Sequence, residues 1–113
     1  MDAFVQPLYE LADFDAIIRQ LKKPGIVQVS GCLDSQKAHF TNGLLREFPF
    51  RLIVAENDLK AKAFYEDFRL YDPEVLYYPA RDLIFYQADI HSNLLTRQRI
   101  QVLRALLERE EVT

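Results

Sequence analysis

The residues with the clearest chemical potential lie in one short stretch, Gly31 to Ala38. Phosphate-binding loops of nucleotide-binding proteins follow the pattern G-x-x-x-x-G-K-[ST], and Gly31 and Lys37 stand at its first and seventh positions. Asp34 and Ser35 lie between them. In such a loop the backbone N–H groups and the N-terminus of the following helix point at the anion. The spacing therefore indicates a loop of the phosphate-binding type.

Two positions of this pattern carry unsuitable residues. Gln36 replaces the second glycine, and its Cβ restricts the loop and crowds the approach of phosphate to the backbone. Ala38 replaces the Ser or Thr whose hydroxyl would hold Mg²⁺, the ion that neutralises charge during phosphoryl transfer. We therefore predict no catalytic residue, no metal site and no cofactor in this domain. The predicted degenerate phosphate loop comprises Gly31, Asp34, Ser35, Gln36, Lys37 and Ala38.

Other residues with reactive side chains are weaker candidates. Cys32 is the only thiol, and it would need His39 as a base to act as a nucleophile. These two residues and His91 show no spacing typical of zinc ligands. An aromatic run could stack nucleic-acid bases, but it lacks an interleaved basic stripe, which favours packing roles for Tyr77, Tyr78, Phe85 and Tyr86.

Charged residues in the second half of the chain offer two further candidates. Asp82 and Asp89 could pair as acid and base, although carboxylates in an irregular segment are usually solvated. Arg81, Arg97 and Arg104 form a candidate interaction surface that could touch a phosphate backbone. A solvated helix face is the default interpretation of such arginines.

The elements that must position these residues alternate between helix and strand. Asp13 is predicted to cap a first helix that ends before Pro24, and Asn57 to cap a third helix that ends before Asp72. Apolar residues at helical spacing predict two more helices, at 35–47 and at about 93–110. Short β-branched runs predict strands at 26–30, 51–55 and 75–78.

This alternation predicts an α/β fold, a three-layer parallel sheet with helices on both faces. Three strands are few for such a sheet, and Glu111-Val112-Thr113 resembles the start of a fourth. We therefore expect one domain over 1–113, with 1–24 as an extension and helix and 25–110 as the core. We expect it to be the N-terminal piece of a larger multidomain protein, with an incomplete sheet whose open edge favours self-association.

Composition excludes several classes of protein. Half of the 113 residues are hydrophobic, which excludes a disordered tail, and the net charge of −3 excludes a domain-wide basic field for nucleic acid. No apolar run approaches the roughly 20 residues of a membrane span. The single cysteine fits a reducing compartment without proving one, and we expect a cytoplasmic protein with no membrane partner.

Several segments, taken in order, resemble the amino-terminal domain of bacterial transcription-repair coupling factors (Mfd), which is similar in turn to the first domain of the excision-repair protein UvrB. They are SGCLDSQKAHF, RLIVAENDLKAKAFYEDFRLYDPEVLYYPARD and NLLTRQRIQVLRALL, within about 27–107. The resemblance implies a degenerate P-loop NTPase fold like that of UvrB domain 1. It is carried by the loop at Gly31, Ser35 and Lys37, by Tyr65-Glu66-Asp67, by Pro79-Ala80-x-Asp82, and by Arg97 and Arg99.

The resemblance also implies a function. The parent protein would be an ATP-dependent DNA translocase, a hydrolase of the bacterial cytoplasm, which displaces stalled RNA polymerase and recruits nucleotide excision repair through UvrA. ATP and Mg²⁺ would serve its downstream motor. This domain would be a non-catalytic scaffold that contacts other domains of the parent chain, while UvrA, RNA polymerase and DNA are partners of the whole protein. The span between Tyr86 and Asn93 is too short for the DNA-gripping β-hairpin of UvrB.

Two other functions remain open at this point. The chain could be a small nucleotide-binding enzyme that uses Lys37 with Glu56, the acidic residue after the second predicted strand. It could also be a regulatory α/β domain that binds a small ligand at the carboxyl ends of its strands.

Overall fold

The computed structural model of the chain describes residues 3–80 and 89–113. Within these ranges the chain forms a short 3-10 helix, Gln6–Glu10, followed by four α-helices. The α-helices are α1 (Phe14–Leu21), α2 (Asp34–Leu45), α3 (Asp58–Phe68) and α4 (Asp89–Glu108). The described residues contain no β-strand, and one isolated parallel bridge joins Phe50 to Val112.

The predicted three-layer parallel sheet, and with it the UvrB domain 1-like P-loop fold, is therefore wrong. Residues 26–30, 51–55 and 75–78 lie outside every helix, as predicted, but they do not pair with one another in the described structure. Parallel pairing depends on contacts between segments that are distant in sequence, whereas β-branched composition reports only the local preference of a side chain. The expected fourth strand at 111–113 is reduced to the single bridge at Val112.

The helices agree better with the sequence. Asn57 caps α3 as predicted, because its side-chain oxygen accepts a hydrogen bond from the Lys60 N–H at 2.9 Å. The first helix begins at Phe14, directly after Asp13, and ends before Pro24. The predicted cap is wrong, however, because the Asp13 side chain makes no hydrogen bond at the start of the helix. α4 begins at Asp89, four residues before the predicted start. Residues 81–88, which belong to the segment predicted to be irregular, lie outside the described residues.

One hydrophobic cluster joins the 3-10 helix, α1 and α2. Its buried members are Leu8, Phe14, Ile18 and Leu44. Gly43 of α2 lies against this cluster, and a Cβ at that position would collide with Leu8 and approach Phe14 Cζ to 3.1 Å. A side chain at position 43 would therefore force the buried Leu8 side chain to move.

A second hydrophobic cluster lies on the other side of α2. Ala38, Phe68 and Val75 are its buried members, and Ile53, Phe64, Tyr65 and Tyr71 pack against them. α2 thus separates two small cores and contacts both. This arrangement leaves the N-terminus of α2, which carries the predicted phosphate loop, at the surface.

The C-terminal residues lie between two segments that are 25 residues apart. The Arg51 N–H donates to the Val112 carbonyl at 3.0 Å, and the Val112 N–H donates to the Pro49 carbonyl at 2.9 Å. On the other side, the Leu76 N–H donates to the Thr113 carbonyl at 2.9 Å. One extended dipeptide therefore connects both segments, in the way that a central strand connects its neighbours.

Candidate functional site

The predicted phosphate loop lies directly before α2. Gly31 adopts φ +90°, in the left-handed region that glycine tolerates best. Leu33 is the residue before the first turn of α2, with extended backbone, and Asp34 and Ser35 follow it at the exposed start of the helix. The chain therefore turns sharply into a helix N-terminus at this point, as a phosphate loop would.

Lys37 does not extend toward the space in front of the helix. Its ammonium lies 2.5 Å from the Asp34 carboxylate, one turn earlier on α2. The hydrogen bond and the charge of each partner lower the pKa of Asp34 and raise the pKa of Lys37. The cation that would bind phosphate is therefore paired with a neighbouring carboxylate in an exposed ion pair.

The Gln36 side chain binds a backbone N–H group that a glycine at this position would leave free for phosphate. Its side-chain oxygen accepts a hydrogen bond from the Leu33 N–H at 3.2 Å. This is the reverse half of a capping box, in which the third helical residue reaches back to the residue before the helix. Gln36, which departs from the nucleotide-binding pattern, therefore stabilises the start of α2.

Ala38 belongs to the core and not to the loop. It is only 1% exposed and lies in the cluster with Phe68 and Val75. A serine hydroxyl at this position would be buried among apolar side chains. The position that would supply a Mg²⁺ ligand in an active loop is here used for packing α2 against α3.

A polar groove of about 510 Å³ lies between the start of α2, residues 53–56 and α3. It brings together Lys37 and Glu56, the two residues on which the alternative enzyme function depends. Glu56 is paired with Lys60 as Lys37 is paired with Asp34. With Asp67 added, the groove holds three carboxylates and two ammonium groups, a balance that disfavours phosphate.

The described residues hold no group of three or more His, Cys, Asp or Glu side chains arranged to bind a metal ion. Cys32 is half-buried and lines a cavity of about 460 Å³ between α1 and α2. His39 is held elsewhere, because its Nε2 donates to the Phe4 carbonyl and its ring stacks on Tyr71 at 5.2 Å. The structure therefore does not bring the Cys32–His39 pair together.

The arginines of the candidate interaction surface do not act as a set. Arg104 is paired with Glu108 at 2.8 Å, one turn further along α4, and Arg97 is exposed on the same helix. Arg81 and Asp82 lie outside the described residues, as do the side chains of Asp89 and His91. The structure thus gives no continuous basic surface among the residues it describes in α4.

Arg99, by contrast, holds a structural position on α4. Its guanidinium lies over the Tyr78 ring at 4.4 Å and donates to the Tyr78 hydroxyl at 2.7 Å. It also donates to the Pro79 carbonyl at 3.4 Å. Arg99 therefore attaches α4 to the segment at 78–79. Helical periodicity carried no signal for this contact, because the partner lies in a different, irregular segment.

Tyr77 forms a second polar anchor that sequence analysis missed. Its hydroxyl donates to the Asp58 carboxylate at the start of α3, and its ring packs on Tyr65 at 5.4 Å. Burial, followed by the hydrogen bond and the negative charge of Asp58, raises the pKa of Tyr77 to about 12. The segment at 77–79 is thus held by a tyrosine on one side and by Arg99 on the other.

Residues 51–53, Ala55 and residues 75–78 line a narrow cavity of about 170 Å³, which we call the slot. Val112 and Thr113 line it as well. Its remaining lining is mostly apolar and comes from α3 and α4, with Ala61, Phe64, Phe68, Val102 and Leu106 as the main contributors. No sequence signal identifies the slot, because its lining residues come from five separate segments.

Comparison with known proteins finds no matching family model, no matching curated protein and no matching solved structure. Among the helices of the described residues, none has the length and apolar character needed to cross a membrane. The function must therefore be inferred from the residues and their geometry.

Proposed function

We propose that this chain is a non-catalytic scaffold domain that acts by contacting other proteins or other domains. The observation that carries the proposal is that two groups of the loop that would bind phosphate already have partners within the loop. Lys37 is paired with Asp34, and the Leu33 N–H is bound by the Gln36 side chain. An incoming phosphate would have to break both contacts, and Ala38 offers no hydroxyl to a metal ion.

The exposed apolar surface supports an interaction function. Several large hydrophobic side chains are almost fully exposed, including Ile26 at 98%, Leu107 at 89% and Leu52 at 88%. Single exposed hydrophobic residues are normal, but large groups of them mark surfaces that other proteins cover. Three more are at least three-quarters exposed: Val54, Leu59 and Leu70.

At the level of the whole protein, the proposal follows the resemblance to transcription-repair coupling factors. The parent chain would be a bacterial, cytoplasmic, ATP-dependent DNA translocase with UvrA, RNA polymerase and DNA as partners and with ATP and Mg²⁺ in a downstream motor. The sheet that the resemblance implied is not observed. This part of the proposal is therefore supported by the order of the matching segments and by the degenerate loop alone.

Titration of the chain with ATP and Mg²⁺ in a calorimeter tests the loop. We expect no binding heat, and we expect Lys37→Ala to behave like the wild type. Lys62→Ala, an exposed lysine of α3 outside the polar groove, is the matched control. Micromolar binding with turnover, abolished by Lys37→Ala and not by the control, would establish the nucleotide-binding enzyme instead.

Site-specific cross-linking tests the interaction surface. A photoreactive amino acid at Leu107 of α4 should cross-link to another domain of the parent chain or to a purified partner protein. The same amino acid at Lys62, on the charged side of α3, should give far fewer products. Equal yields at the two positions would contradict an apolar interaction surface on α4.

A further inference from the structure

We draw no further inference here: the strongest candidate, the cavity of about 460 Å³ between α1 and α2 that Cys32 lines, rests on a single cysteine and an open apolar face, and nothing in the structure shows what covers that face.

Discussion

Ala38 illustrates how one residue can belong to a sequence motif and serve a different purpose in the structure. Its position in the motif suggests a lost metal ligand, but its side chain is buried between α2 and α3. Gln36 behaves similarly, because the side chain that blocks a phosphate loop caps the helix instead. At the residue scale, both departures from the nucleotide-binding pattern have structural uses.

Restoring the hydroxyl at Ala38 should therefore harm the protein. We expect Ala38→Ser to lower the free energy of unfolding by about 1–2 kcal/mol, because a hydroxyl would be buried among Phe68 and Val75. It should give no Mg²⁺ binding. Urea denaturation measures the first effect and calorimetry the second. Ser35→Ala, at an exposed position of the same turn, is the control and should change stability little.

Tyr77 should make the stability of the protein depend on pH in the alkaline range. Its folded-state pKa of about 12 lies above the ordinary value of 10.0, so the folded state holds the phenolic proton more tightly. The resulting stabilisation is complete below pH 10 and is lost as the pH rises toward 12. The difference in urea midpoint between wild type and Tyr77→Phe should therefore shrink between pH 9 and pH 11.5. A constant difference over that range would contradict the raised pKa.

At the scale of single elements, the ends of helices were easier to predict than the contacts that helices make with distant segments. Asn57 caps α3 through a hydrogen bond to the Lys60 N–H, only three residues away. Such contacts depend on neighbouring residues and follow from spacing. The contact between Arg99 and Tyr78 joins residues 21 apart, and spacing within α4 says nothing about it.

Removal of the cap tests how far α3 depends on it. Asn57→Ala should lower the free energy of unfolding by about 1 kcal/mol, because the Lys60 N–H loses its acceptor at the start of the helix. Asn57→Ser keeps an oxygen at the cap and should restore most of the loss. Thermal and urea unfolding followed by circular dichroism measure both variants. Equal losses in the two would show that the cap oxygen is unimportant.

At the scale of the whole molecule, the chain is open. Its radius of gyration is 16.3 Å, against about 13 Å for a compact domain of this length. Among the residues that the structure describes, buried side chains form two small clusters, one on each side of α2. This openness accounts for the many exposed hydrophobic side chains and for the slot.

Asp72 connects distant parts of this open structure. Its carboxylate accepts hydrogen bonds from the Thr113 hydroxyl at 2.8 Å and from Arg51 at 3.5 Å, and all three side chains are largely buried. Asp72→Ala should lower the free energy of unfolding by about 3 kcal/mol, since Arg51 would keep a buried charge without its partner. Asp67→Ala, an exposed carboxylate of α3, is the control for urea unfolding. A loss no larger than the control's would show that the contact is unimportant.

The sequence by itself determined the local features: the cap at Asn57, the helix stop before Pro24, the turn at Gly31 and the defects at Gln36 and Ala38. Each depends on residues within about one helical turn, so spacing and side-chain chemistry are sufficient. The tertiary structure alone decided that residues 26–30, 51–55 and 75–78 do not form a sheet, and that Lys37 turns to Asp34 while Ala38 enters the core. These outcomes depend on packing and hydrogen bonding between distant segments, and a local pattern of β-branched residues is compatible with a paired strand and with an open slot alike.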